Sequence, residues 1–332
     1  MASRHDHYPR DDAARRRAMR AAATALAERW TAGDDSAGGL LAAMRAQRDA
    51  TPDAALTALA PWLADTGWLA ARLDAALALL RADPFARPPL RPVGGGAFDG
   101  LLLAEAGAIR LSLLVRPFDA VSQGEAPVAI FAPGRTRTRI LAAGGAAIAF
   151  HRVAVTDAEE AGAFTAAAAS PCVSDPPCPL IAGETLTLDS ARTAFSLSGG
   201  RGDIVLLELA AQPSSPLPIR AYDTATGRLV HVSASRRDSS FRAMALTLLR
   251  TMGHRDAAPL FAEEVGSEDF AARWHAMREL AALDPATALP SLAHMATADP
   301  HPEVRQAAKA TLVLLSSPLA CGRGSEVCEL VR

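Results

Sequence analysis

The chain has 332 residues, which is enough for two or three hydrophobic cores of ordinary size. Half of the residues are apolar but only 5% are aromatic, so alanine supplies much of the apolar content, and this favours closely packed helices. A formal net charge of −2 excludes a general attraction to nucleic acid or to an anionic membrane. Residues 1–17 are polar and no stretch is apolar enough to span a bilayer, so we expect a cytoplasmic location.

Residues 11–83 have the pattern of three or four helices. Thr51-Pro52-Asp53 predicts a helix start, because it combines a capping hydroxyl, a proline in the first turn and a carboxylate near the positive end of the helix dipole. The proline-rich stretch from Pro84 to Pro92 cannot continue a helix, and Gly94-Gly95-Gly96 follows it. We interpret this stretch as a linker at a domain boundary.

From about residue 98 to residue 234 the pattern changes to short alternating runs separated by Gly, Pro and Asp. Eight to ten short strands are predicted, with turns every 8–12 residues, as is typical of an antiparallel sandwich or barrel. The segment from Asp223 to Gly227 predicts a hairpin loop in which the glycine adopts the left-handed conformation. Residues 157–182 are the long loop of this domain.

The last third of the chain repeats the pattern Arg-x2-Ala-x3-Leu three times, at intervals of 31 and 32 residues. Its members are Arg242/Ala245/Leu249, Arg273/Ala276/Leu280 and Arg305/Ala308/Leu312. This period predicts helix pairs that stack into a solenoid, in which each unit contacts only its neighbours. So few repeats need support, and we expect the solenoid to lean on the β-domain or on the N-terminal helices. The predicted packed core is Trp274, Phe261, Phe270, Leu280 and Leu312.

The repeat resembles the HEAT family. Pro290-Ser291-Leu292 opens one helix, Asp299 follows at the turn, and Val304-Arg305 begins the next helix, as in that family. The preceding unit has Ala272 in place of the valine, and the first unit keeps only its second helix. The resemblance covers about 75 residues and implies a surface that binds another protein. In such repeats the recurring arginine bonds to carbonyls or a carboxylate between units.

The middle region resembles the cupin or jelly-roll class in two places. Phe131-Ala132-Pro133-Gly134 precedes a strand that ends near Gly144-Gly145-Ala146, and Gly183-Glu184-Thr185-Leu186 opens a later strand as the second cupin motif does. The resemblance implies a jelly-roll fold. The metal ligands of the family are missing, because His151 and His231 are the only histidines of this region. We therefore expect no metal and no cofactor.

Arg135, Arg137 and Arg139 alternate along a predicted strand, so that all three guanidinium groups share one face. Three arginines at a barrel mouth can clamp a carboxylate or phosphate, since each offers paired donors. The alternative is a solvated outer face of an edge strand, which charges protect from aggregation.

Other candidates for chemistry lack a supporting motif. Four cysteines can bind zinc together, namely Cys172, Cys178, Cys321 and Cys328, but five and six residues separate the members of the two pairs, where two to four are usual. His151 with Glu159 or Glu184, and His231 with Asp223, are possible acid–base pairs. No spacing sets out a nucleophile with its base, so we assign no catalytic residue.

These observations predict an α+β multidomain chain. We expect N-terminal helices with a linker (1–92), a cupin-like antiparallel β-sandwich (93–235), HEAT-like helices (236–316) and a flexible tail (317–332). The predicted function is a non-enzymatic adaptor or scaffold that binds a protein partner, without nucleic acid or membrane. A homodimer through the β-domain is also open. The alternatives are a small-anion sensor and a metal-independent enzyme of cupin type.

Overall fold

The structure is a computed structural model that describes residues 13–83, 85–95, 98–118, 128–233, 237–267 and 269–316. Its first part is a group of five described helices: α1 (Ala13–Asp35), α2 (Leu40–Ala46), α3 (Pro52–Ala58), α4 (Pro61–Ala64) and α5 (Gly67–Ala82). Helix α3 starts as its sequence predicts: Pro52 lies in the first turn, and the Thr51 hydroxyl accepts a hydrogen bond from the Ala54 amide at 3.3 Å. This cap satisfies one of the amides that a helix start leaves unpaired.

Thirteen strands follow in the described residues, and every pair is antiparallel. They are β1 (Arg91–Gly95), β2 (Phe98–Ala106), β3 (Ile109–Arg116), β4 (Val128–Phe131), β5 (Arg135–Ala142), β6 (Ala146–Arg152), β7 (Val173–Ser174), β8 (Cys178–Pro179), β9 (Thr185–Asp189), β10 (Thr193–Gly199), β11 (Ile204–Ala211), β12 (Ile219–Asp223) and β13 (Leu229–Ser233). The sheets are β1-β2-β3-β11-β5-β9, β10-β6-β7 with β8 also on β6, and β13-β12-β4. The described strands do not close into a barrel.

Strand β1 corrects one prediction. Arg91 to Gly95 pair with β2 as an edge strand, so Gly94 and Gly95 are not linker residues. A proline fits here because an edge strand needs no hydrogen bond on its outer side.

The N-terminal helices cover one face of the six-stranded sheet. Leu111, Leu207 and Leu209 point to this face and are at most 1% exposed. They pack against Met44 and Leu56 of the helices in the largest core of this half. The outer face of the sheet is therefore excluded from water. Burial of each such leucine contributes roughly 1.5–3 kcal/mol to stability.

The opposite face of this sheet packs against the second sheet. Ile140 and Leu206 meet Ile148 and Phe150 in one cluster, which joins the two layers into a sandwich. Helices first, then antiparallel sheets, then helices again is the order that the sequence predicts, and this fold class is confirmed.

The third part consists of α6 (Arg237–Thr251), α7 (Ala258–Glu264), α8 (Phe270–Leu283), α9 (Pro285–Ala298) and α10 (Pro302–Ser316). Asp269 caps α8 by accepting from the Ala271 and Ala272 amides, and Asp284 caps α9 by accepting from Thr287. The predicted core residues share one hydrophobic cluster: Phe261 and Leu280 are fully buried, and the others pack against them, namely Trp274, Phe270 and Leu312.

These helices lean on the β-domain, as so short a solenoid requires. The imidazole of His301 binds the Phe164 carbonyl oxygen through Nε2 at 2.6 Å and stacks on the Phe270 ring at 3.9 Å between centroids. The Glu303 carboxylate accepts a hydrogen bond from the Ala167 amide at 3.2 Å. Phe164 and Ala167 belong to the long loop after β6, so the C-terminal helices contact the β-domain through that loop.

Candidate protein-binding face

The three repeated arginines lie at the junctions between helices. Arg242 donates to the carboxylate of Glu264 at 3.0 Å, and Arg273 makes two hydrogen bonds to Asp299 at 3.0 and 2.9 Å. Arg305 donates to the carbonyl oxygens of Asp299 and Pro300. Arg242 and Arg273 thus contact carboxylates of the following unit, as the HEAT resemblance implies, whereas Arg305 contacts carbonyls of the turn before its own helix.

Helices α6 and α8 lie side by side and are joined by polar contacts. The Arg250 guanidinium donates to the Glu279 carboxylate, and Glu279 is nearly buried. Nε2 of His275 lies 3.1 Å from the Thr247 hydroxyl and 3.2 Å from the Ala243 carbonyl oxygen. These contacts set the spacing at which one second helix stacks on the next.

The other side of α6 carries an exposed apolar row. Phe241 and Met244 are both 69% exposed, Leu248 is 59% exposed and Met252, just after the helix, is 60% exposed. Their spacing of three and four residues places them on one face. A row of four large apolar side chains in water indicates a surface that binds another molecule.

The repeat explains why this row is bare. Phe241 occupies the position that Ala272 holds in α8 and Val304 holds in α10, since each directly precedes a repeated arginine. Ala272 and Val304 are only 3% and 2% exposed. Met244 and Leu248 stand where α8 has His275 and Glu279, which contact α6, and no described helix covers α6 in the same way. The unit of α6 has no described first helix. The sequence shows that the first unit keeps only its second helix, but the exposed row was not predicted from this observation.

A groove of about 530 Å³ runs beside the row. Met244 and Leu248 form one wall, α8 contributes Ala271, Ala272 and His275, and β13 closes the groove with residues 231–233. Small residues on α8 leave the space open. The apolar row and this groove together form the candidate surface, which we call the α6 face.

The three strand arginines share one side of β5, as their alternation predicts, and Thr136 and Thr138 share the other. Arg135 forms ion pairs with Asp53 and Asp189, and Arg137 donates to the Leu56 carbonyl oxygen at 3.3 Å and to the Thr187 hydroxyl. Arg139 lies on the same side, opposite Leu207 and Thr185. This side meets helix α3, so two of the three arginines already have acceptors in the chain. Whether an anion binds here stays a prediction.

The predicted acid–base pairs are not assembled. His151 is buried with both ring nitrogens 2.8 Å from hydroxyls, Nδ1 from Ser174 and Nε2 from Ser196. Burial lowers the pKa of His151 below its usual value, with the nearby Asp175 acting in the opposite direction. A neutral ring bonded to two hydroxyls is a packed core histidine.

Two of the four cysteines, Cys172 and Cys178, lie in the described residues. Cys172 is buried and Cys178 is exposed, and burial raises the pKa of the Cys172 thiol. Cys321 and Cys328 lie outside the described residues. Within the described part of the chain, no three His, Cys, Asp or Glu side chains are grouped so that they can hold a metal ion.

One partly buried acid, Glu208, was not identified from the sequence. Glu208 of β11 lies opposite Ser112 and Thr138, on the side of the sheet away from the N-terminal helices. Burial raises the pKa of its carboxyl group, while Arg110 and a long hydrogen bond from Thr138 act against the rise. In the sequence it stands in the run Leu-Leu-Glu-Leu, where one acid in an apolar strand is the only signal.

Comparison with known families agrees with the helical geometry. Residues 228–313 match the family described as HEAT repeats. The HEAT match begins just before β13 and ends within α10, so it contains the whole α6 face. HEAT-type stacking is therefore supported both by the sequence and by the contacts between α6 and α8. A search of curated proteins gave no match.

Several solved structures match part of the chain. The hydroxypropylphosphonic acid epoxidase from S. wedmorenis is 12% identical with a TM-score of 0.24, over 36% of this chain and 55% of its own. The cupin domain of Drosophila melanogaster CENP-C is 11% identical with a TM-score of 0.24, over 37% and 75%. Ectoine synthase from P. lautus is 9% identical with a TM-score of 0.23, over 38% and 71%. The chain spans about half the length of the epoxidase.

At these TM-scores the matches carry no argument about fold or activity. Among the described helices, none has the length and apolar character to cross a bilayer.

Proposed function

We propose that the protein is an adaptor whose HEAT-like helices bind another protein through the α6 face. The observation that carries this proposal is the row of Phe241, Met244, Leu248 and Met252, exposed at positions whose equivalents in α8 and α10 lie within the helix stack. Exposing such a row to water is energetically unfavourable. Covering it removes apolar area from water at about 25 cal/mol per Å².

The charges beside the row favour protein binding over nucleic acid. Arg242 is paired with Glu264 and Arg250 with Glu279, so the two arginines of α6 nearest the row are offset by carboxylates. Binding to phosphates needs several uncompensated cations. An apolar row with neutral flanks is typical of the centre of a protein–protein interface.

The test is affinity capture with a double variant, M244E/L248E. Tagged wild-type protein and the variant are incubated with extract of the source cells, and the captured proteins are quantified by mass spectrometry. Two carboxylates in the row should reduce the capture of a true partner at least tenfold, since each would have to be desolvated in the interface.

The matched control is L260E/L289E. Leu260 and Leu289 lie on α7 and α9 and are also exposed, so the chemical change is the same but falls outside the α6 face. Circular dichroism must show that both variants keep their helices. If both variants capture the same proteins in the same amounts, the α6 face is not the binding surface.

A further inference from the structure

The two ends of the helix stack carry matching apolar side chains. Within the chain, the side of α6 that meets α8 presents Thr247 and Arg250, and α8 answers with His275 and Glu279. The repeat interval transfers these positions to the other second helices. On α10, the equivalents of Thr247 and Arg250 are Ala310 and Val313.

The equivalents on α6 are also apolar. Met244 stands at the position of His275, and Leu248 stands at the position of Glu279. Leu248 is 59% exposed, and at the far end Val313 is 67% exposed with Leu314 at 46%. The positions that form the Arg250–Glu279 ion pair between α6 and α8 are thus occupied by apolar side chains at both ends of the stack.

We propose that the partner of the α6 face is a second copy of this chain, which places its α10 against α6 in head-to-tail stacking. The inference rests on the proposed function and names the partner. Ala310 of one copy then meets Met244 of the next, and Val313 meets Leu248. The contact continues between chains the interface that α6 and α8 already form within one chain.

The physical reason lies in how solenoids end. A terminal repeat normally has a polar outer face, because an apolar one propagates the stack. Among the described residues, Met244 and Leu248 at one end and Ala310 and Val313 at the other provide no such polar face. A contact between two different surfaces of the same molecule is heterologous, so it adds further copies until a ring closes or a chain forms.

The polar pair inside the stack supplies a designed test. V313R places a cation where α10 would meet Leu248, and L248E places a carboxylate where α6 would meet Val313. Each variant alone should lose self-association, with the dissociation constant rising at least tenfold, because a charge is buried against an apolar side chain. A mixture of the two variants should associate, since it restores one native contact and one that copies Arg250–Glu279.

The measurement is sedimentation velocity on the full chain, from about 1 to about 100 µM, the range in which weak specific contacts dissociate. The wild-type mean mass should rise with concentration, as should that of the L260E/L289E control. Three results overturn the inference: a wild-type monomer throughout, association that only L248E abolishes (α6 paired with α6), or a mixture that stays monomeric. If the wild type is monomeric but M244E/L248E still loses a captured protein, the adaptor function stands and the second copy is excluded.

Discussion

The ion pair between Arg273 and Asp299 is the most deeply buried one among the described helices. The two side chains are 9% and 3% exposed, and two parallel hydrogen bonds of 3.0 and 2.9 Å join them. Asp299 also accepts the His301 amide at 2.8 Å, which orients the turn into α10. Replacing Arg273 by methionine keeps the length of the side chain and removes the charge.

The expected cost is large because the partner is left behind. Asp299 would remain buried with its charge uncompensated, and breaking one side of a buried pair costs about 3–5 kcal/mol. The variant R305M is a matched comparison, since Arg305 donates only to neutral carbonyl oxygens and should cost about 0.5–1.5 kcal/mol. Adding D299N to R273M should recover part of the loss, because it removes the unpaired charge.

Hydrogen–deuterium exchange measures this locally, in peptides from α8, α9 and α10. A loss of 3–5 kcal/mol makes amide exchange roughly 100-fold to 4,000-fold faster when opening is the rate-controlling equilibrium. R305M should change exchange by about tenfold or less. If R273M leaves these peptides within threefold of the wild type, the pair does not hold the stack and the reasoning from burial is refuted.

Three further outcomes follow from single contacts. Burial raises the folded-state pKa of Glu208, so its penalty grows as pH rises through that pKa, and Glu208→Gln should raise the melting temperature most at the alkaline end of a pH series; an equal gain at every pH would contradict this. Gly227→Ala should lower the melting temperature, because Gly227 has a φ of 68° and a new Cβ would lie 2.5 Å from the Cys172 carbonyl oxygen. Thr51→Ala removes the cap of α3 and should cost about 1 kcal/mol in urea denaturation, whereas Thr51→Ser should be nearly neutral.

Local patterns explain what could be predicted from the sequence. The 31- and 32-residue intervals gave the solenoid, alternation gave the shared side of Arg135, Arg137 and Arg139, and the turn at Gly227 had the predicted left-handed glycine. Each of these rests on neighbours along the chain. The periodicity of a helix or strand is sufficient to decide which of its residues share a side.

What a side meets depends on long-range packing, and there the sequence was less informative. The strand arginines share a side, but their neighbour is helix α3, more than 70 residues earlier. The exposure of Met244 also depends on long-range packing, because its counterpart His275 contacts α6, whereas no described helix covers Met244 in the same way. Gly94 and Gly95 were misjudged because edge pairing with β2 needs no side-chain signal.

The N-terminal helices share a hydrophobic core with the six-stranded sheet, so the boundary between them in the sequence is not a suitable place to divide the protein. A fragment excised at the first strand would bare Leu111, Leu207 and Leu209 to water, the driest positions of the sheet. Such a fragment would aggregate, although its sequence looks like a self-sufficient domain. The N-terminal helices and the sheet therefore form one folding unit, and any fragment of this protein should contain both.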